Sequence, residues 1–257
     1  MTAPRLALAA RYAAGTAALR RRDVLLVSYP RSGSTLIRFV LEHYARLLAR
    51  DDRPVGFAEL NAGQPELGVS DLWTPSRPGL PRVVKTHRPY SALLARSRAV
   101  LVVRRPLDTV ASYHTYWTSR VGAAEVEASE FLRDSRRGLP RWILHTVSWQ
   151  SRVDLVVPYE ALRADPALAV ADVLRIGGHE PDADVLAEAV RRAAAPRVRA
   201  AEARGGVVGS DTFTDGFVFA RTLRPGAGAE RFSGTDRAWA AGRLAAVGLD
   251  PTLAEPL

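Results

Sequence analysis

The stretch Tyr29-Pro30-Arg31-Ser32-Gly33-Ser34-Thr35 follows a short apolar run, Val24 to Val27, and leads into an amphipathic pattern. Set against the phosphate-binding pattern G-x-x-x-x-G-K-[ST], Ser28 stands at the first glycine, Gly33 at the second, Ser34 at the lysine and Thr35 at the hydroxyl. Half of the pattern is kept. Gly33 still lets a backbone approach a ligand closely, and a helix starting near Ser34 turns unpaired N–H groups toward an anion. The cation has moved to Arg31, three residues before the lysine position. A second apolar run ends in Arg104 and Arg105, where a magnesium-dependent phosphotransferase would carry an acid. Arginines there repel a metal and attract phosphate. Lys85 and His87 close a third run, adding a cation and an imidazole that ordinarily titrates near neutral pH. Such a set binds anions and holds one candidate proton acceptor.

These residues need a scaffold that brings the ends of several strands together. Four apolar runs, DVLLVSY, RVVKTH, AVLVVRR and VDLVVPY, each turn polar at their carboxyl ends and are followed by helical patterns. Continuous apolar runs suit strands buried on both faces, and ligands of parallel sheets collect at the carboxyl ends. The expected fold class is therefore α/β: a P-loop-like three-layer fold with a central, mainly parallel sheet flanked by helices. Helices are predicted over 36–48, 107–116, 139–152 and 166–176. Residues 51–80 and 204–234 are rich in Pro and Gly without periodicity and are expected to be loops covering the site. One domain over residues 1–257 is expected, with 1–22 as an N-terminal helical extension.

A formal charge of +9 suits a polyanionic ligand. The arginines are scattered and no nucleic-acid-binding motif is visible, so nucleic acid is not an expected partner. With no cysteine, thiolate chemistry and disulfides are excluded, and a cytoplasmic setting is expected. The N-terminal stretch is interrupted by Arg11 and Tyr12, unlike the centre of a signal peptide. No apolar run approaches the roughly 20 residues of a membrane span.

Taken in order, five segments resemble the cytosolic-type sulfotransferases, which move a sulfuryl group from PAPS (3′-phosphoadenosine 5′-phosphosulfate) to a hydroxyl or amine and release PAP. YPRSGST is similar to their 5′-phosphosulfate loop, KTHRPY to the strand end with a lysine and catalytic histidine, and VVRRPLDTVASYH to the 3′-phosphate strand and helix. VVPYEALRADP resembles the strand followed by Tyr-Glu, and RPGAGAERF the late R-x-G segment. The resemblance runs from residue 24 to about 232. It implies His87 as general base, with Lys85 and Arg31 stabilising charge on the departing nucleotide. Arg31, Ser32, Gly33, Ser34 and Thr35 would hold the 5′ side, Arg104 and Ser112 the 3′-phosphate, Tyr159 the adenine, and Arg224 and Gly226 would close over the 3′-phosphate. No metal is implied. The acceptor is a small molecule or glycan, and quaternary state stays open, a homodimer among the alternatives.

Departures from the family pattern are specific. Arg31 stands where vertebrate members carry lysine, Leu36 where they stack adenine on tryptophan, and Ala229-Glu230 where Asp-Trp is usual. Each site residue also has a structural alternative: Arg104 could pair with Asp108, Ser112 could bond within its helix, Tyr159 could be core, and Arg224 a solvated charge. Glu160 could order the turn at Tyr159 or serve as a base. Trp117, Trp142 and Trp149 are expected to pack in the core, while Phe57 and Trp73 are candidates for an acceptor pocket. His43, His114, His145 and His179 are assigned no chemistry. Two other functions compete: an ATP-dependent phosphotransferase, and a non-catalytic nucleotide-binding protein on the same fold.

Overall fold

A computed structural model describes residues 3–73, 77, 79–205, 213–214, 218 and 224–249. Helix α1 (Ala3–Ala17) leads into strand β1 (Val24–Ser28), followed by α2 (Ser34–Leu48) and α3 (Phe57–Gly63). Strand β2 (Val83–Thr86) and β3 (Arg98–Val103) precede α4 (Pro106–Thr118), α5 (Ala128–Arg133) and α6 (Leu139–Gln150). Then come β4 (Leu155–Pro158), α7 (Tyr159–Ala164), α8 (Pro166–Ile176), α9 (Ala183–Arg192), α10 (Ala195–Gly205) and α11 (Gly234–Ala245). The four predicted strands are all present, and they form one parallel sheet in the order β2-β1-β3-β4.

Alternation along β1 explains why its sequence is apolar without a break. Val24 and Leu26 face a core shared with α2, α8 and α9, whereas Leu25 and Val27 face one that includes Leu67, Leu72 and Trp149 of α6. Both faces are covered, which gives three layers. A third cluster joins Tyr29 and Val103 to α4, α5, α6 and α11. Trp142 and Trp149 are fully buried as expected, and Phe57 is buried too, its ring edge-on to Phe39 at 5.2 Å. Phe57 therefore packs in the core and does not face an acceptor pocket. Trp73 is 66 % exposed.

In this strand order β1 has β2 on one side and β3 on the other, so the chain reverses its direction of winding at β1. Ligand crevices in open α/β sheets form outside the strand ends at that point. The 51–80 region is less irregular than its composition suggests: it contains α3, and its Glu66 pairs in parallel with Lys85 on the outer edge of β2. Much of 204–234 lies outside the described residues; its described part includes a turn at 224–228 and the start of α11. Among the described residues no helix is long and apolar enough to cross a membrane.

Candidate active site

A cleft of about 610 Å³ opens over the carboxyl ends of the strands. Its lining takes in Arg31, Gly33, Ser34 and Thr35 after β1, Lys85 and His87 after β2, Arg104 and Ser112 after β3, and Tyr159 after β4. With neighbouring strands about 4.8 Å apart, the outer two ends stand roughly 14 Å from one another. That reach suits a nucleotide carrying anionic groups at both ends.

The loop after β1 is shaped by backbone conformation. Arg31 has φ 73° and Gly33 φ 104°, both left-handed. For arginine this conformation costs on the order of 1–2 kcal/mol. A Cβ on Gly33 would meet the Tyr159 ring at 2.5 Å, so glycine is needed here for space as well as for φ. Gly33 caps α2 without offering it a side-chain acceptor; its carbonyl accepts the Leu36 N–H at 3.0 Å, while the N–H groups of Ser34 and Thr35 have no helical carbonyl before them to bond. Ser34 begins the helix and accepts a hydrogen bond from Ser28 Oγ at 2.9 Å. Ser32 is buried outside the cleft lining, and among the described residues its hydroxyl has no partner.

Beyond this loop, Arg104 is 5 % exposed and lies over the Tyr159 ring at 4.6 Å. Its Nη1 donates to the Arg31 carbonyl at 3.3 Å, while Nε is buried without a partner among the described residues. Arg31 Nε donates to Ser112 Oγ at 3.3 Å, and its guanidinium lies 5.5 Å from the centre of the Tyr116 ring. Arg31, Arg104, Ser112 and Tyr159 thus form one contiguous surface. Asp108 does not pair with Arg104. It accepts from the backbone N–H of Gly226 at 2.8 Å and of Gly228 at 2.6 Å, tethering the late turn to α4. Arg224 pairs with Glu230 at the exposed surface, and neither it nor Gly226 belongs to the cleft lining. Glu160 lies 3.8 Å from Arg105, also outside the lining.

At the β2 end, Lys85 and His87 are two residues apart and so project to the same side of an extended chain. His87 Nδ1 lies 2.6 Å from the Ser28 carbonyl oxygen, which can only accept. Nδ1 therefore carries the proton, and Nε2 keeps its lone pair. Trp149 Nε1 donates to the Arg88 carbonyl at 2.9 Å, and Ser148 Oγ accepts from Tyr90 N–H, so α6 fixes the chain that follows His87. Burial and the neighbouring Lys85 push His87 down to about 3. It is far from the unperturbed imidazole its sequence position suggests, and is neutral throughout the physiological range.

Several cleft residues escape a sequence reading. Glu66 lines the cleft, and Lys85 Nζ donates to its Oε2 at 2.8 Å. It comes from a Pro/Gly-rich stretch with no periodic signal. Tyr113, Tyr116 and Trp117 form an aromatic wall, so Trp117 faces the cleft and is only partly in the core; Arg120 and Arg163 add cations. Leu36 lies in an apolar wall with Phe39, Val190 and Val198.

His145, on α6, is 1 % exposed with neither ring nitrogen hydrogen-bonded among the described residues, and burial holds it down to about 3. It is neutral in the fold and protonates below its ordinary pKa of about 6.5 once unfolded. The unfolded chain then binds more protons, so stability falls as pH drops from about 6.5 toward 3, by about 1.4 kcal/mol per pH unit from this residue. His145→Leu is expected to flatten the acid side of the stability curve by an amount that approaches that slope in urea unfolding at pH 6, 5 and 4. Equal slopes in both proteins would contradict this assignment.

Comparison with known proteins matches this arrangement to one family. The family model described as "Sulfotransferase domain" matches residues 21–205. Sulfotransferase 4A1 of Homo sapiens and of Mus musculus are each 28 % identical over 181 residues, covering 62 % of this chain and 61 % of the relative. The match thus takes in about three-fifths of those relatives' length. Among solved structures, retinol dehydratase in complex with androsterone and inactive cofactor PAP is similar with a TM-score of 0.65 at 18 % identity, over 90 % of this chain and 83 % of that one. Mouse sulfotransferase SULT7A1 complexed with PAP gives 0.65 at 18 % identity, over 92 % and 86 %. At that identity the structures speak for the fold, and the match over 21–205 speaks for descent: the chain belongs to the sulfotransferase domain family.

Proposed function

We propose that this protein is a cytoplasmic, metal-independent sulfotransferase that uses PAPS to sulfate a hydroxyl or amine of a small-molecule acceptor, with His87 as general base. The observation that carries the reading is the fixed tautomer of His87. Its Nδ1 proton is committed to the Ser28 carbonyl, so a lone pair on Nε2 stands in the cleft that also holds the anion loop.

The described residues fit the donor. Arg104 Nε, on a residue that lines the cleft, is a buried donor without a partner among the described residues, as expected where an anion completes the bonding; Ser32 Oγ is another, in the same loop region but outside the lining. The N-terminus of α2 and the Gly33 backbone would hold the 5′ side, with Thr35 lining the cleft beside them. Arg104 and Ser112 would hold the 3′-phosphate, and Tyr159 would meet the base; Leu36 and its apolar neighbours would replace an aromatic stack. When bound, PAPS supplies the sulfuryl group and leaves as PAP.

His87 Nε2 takes the acceptor's proton, and the resulting imidazolium is stabilised by its bond to the Ser28 carbonyl. A base held down to about 3 is always in its receptive form, and anionic charge brought into the cleft offsets the penalty of protonating it. Lys85 and Arg31 stabilise charge that builds on the nucleotide as the bond to sulfur breaks. The aromatic wall of Tyr113, Tyr116 and Trp117 suits an apolar or aromatic acceptor body. Arg104 and Arg105 at the end of β3 leave no carboxylate where a P-loop phosphotransferase holds magnesium. An assay with ³⁵S-labelled PAPS against phenols, alcohols and amines is expected to show acceptor-dependent transfer that survives EDTA. Transfer of the γ-phosphoryl group of ATP with no transfer of label would overturn the proposal.

A further inference from the structure

Lys85 is the only lysine among 36 basic residues; every other is arginine. It stands in the cleft, its side chain 12 % exposed, and its Nζ meets Glu66 Oε2 at 2.8 Å. Among the described residues Glu66 is in turn the one acid of the cleft lining, beside Arg31, Lys85, Arg104, Arg120 and Arg163. An acid is an unexpected component of a cleft built for a polyanion.

We propose that Glu66 is a positioning residue for the transfer: its carboxylate holds the Lys85 ammonium, as a compact charge, at the His87 end of the cleft. This rests on the sulfuryl-transfer reading of the site. The carboxylate is carried on hydrogen-bonded backbone. Lys85 N–H donates to the Pro65 carbonyl at 2.9 Å, and Leu67 N–H to the Lys85 carbonyl at 2.8 Å, so residues 65–67 lie along the outer edge of β2 through one parallel bridge. Glu66 N–H donates to Ser70 Oγ at 2.9 Å, and its carbonyl accepts from Ser70 N–H at the same distance, closing the turn behind it.

Chemistry gives this contact a purpose. Of the three ammonium protons one goes to Glu66, leaving two for a donor oxygen. An arginine would engage the carboxylate with its planar fork and could not turn the same charge on a single atom. Charge balance matters as well. Burial pulls Lys85 downward, Arg38 from α2 and Arg31 from the loop after β1 act in the same direction, and Glu66 opposes them. His87, two residues away, also feels Lys85 as a depressing charge and Glu66 as a supporting one. Glu66 itself, which burial would raise, is kept below the usual carboxylate range chiefly by Lys85, with Arg38 adding to it. The ammonium that stabilises the leaving group stays charged because this carboxylate is beside it.

Glu66→Gln keeps the size and one acceptor oxygen but removes the charge. A single lysine allows ¹³C-lysine labelling to report Lys85 alone by NMR. In Glu66→Gln its titration is expected to move to lower pH by about one pH unit or more. Turnover at neutral pH is expected to drop roughly tenfold, with the alkaline limb of the pH–rate profile moving in the same direction, PAP affinity within about threefold and partial recovery in Glu66→Asp. A role limited to pinning the loop would leave the Lys85 titration and the pH profile in place. If the wild-type chain transfers sulfuryl groups and Glu66→Gln changes neither the Lys85 titration nor kcat, the role of Glu66 is refuted alone. Failure of the wild type to transfer would overturn the functional reading and this role with it.

Discussion

His87→Ala is expected to lower kcat for sulfuryl transfer by about a hundredfold or more, while leaving PAP affinity within a few-fold of wild type. The split follows from geometry. His87 bonds the Ser28 carbonyl through Nδ1 and offers Nε2 to the acceptor, whereas Arg104, Ser112 and the N-terminus of α2 serve the nucleotide. Asparagine at 87 is a useful second variant, because its amide can donate to the Ser28 carbonyl and keep that contact without supplying a base. The pH dependence has a definite sign. With His87 held down to about 3, the base form is fully populated above that value, so kcat/KM should not decline on the acid side near pH 6.5. A wild-type profile that falls with a pKa near 6.5, or a His87→Ala enzyme that keeps most of its turnover, would contradict the assignment.

Arg104→Ala is expected to weaken PAP binding roughly 10- to 100-fold, the range for loss of a buried hydrogen bond to a charged group. Turnover at saturating PAPS should change less. Arg104 is well placed for such an effect: it is buried, its Nε has no partner among the described residues, and it lies over Tyr159 and bonds the Arg31 carbonyl. That last bond supports a backbone held at φ 73°, so the variant also loosens the neighbouring loop. Arg104→Lys retains a charge but loses the flat group over Tyr159, and should fall between the two in calorimetry. An affinity unchanged in Arg104→Ala would remove this residue from the nucleotide site.

The four strands were legible because strands buried on both faces read as unbroken valine and leucine runs, and because each run ends in polar residues over the cleft. Helix α8 follows the predicted 166–176 span closely, since Pro166 sits in its first turn and the Asp165 side chain caps Leu168 N–H. Helix α2 begins at Ser34, where the phosphate-loop pattern puts the helix start, two residues before the 36–48 span read from periodicity; left-handed Gly33 sets that start. Some missed elements carried local signals. Asp182 caps α9, and Ser233 and Asp236 form a capping box at α11. Glu66 had no such signal. Its role depends on a bridge to Lys85 nineteen residues along the chain, formed on a sheet edge that pattern reading does not place. Asp108 is similar: its carboxylate gathers the N–H groups of Gly226 and Gly228 from well over a hundred residues away. The perturbed state of His87 is likewise a property of packing, from its burial and from Lys85 beside it.

The nucleotide site is tested most directly by calorimetric titration of the protein with PAP, and separately with ATP plus magnesium. Tight PAP binding, indifferent to magnesium and markedly weaker in Arg104→Ala, is the expected result. A preference for magnesium-ATP, or no binding of PAP, would contradict the proposed donor site.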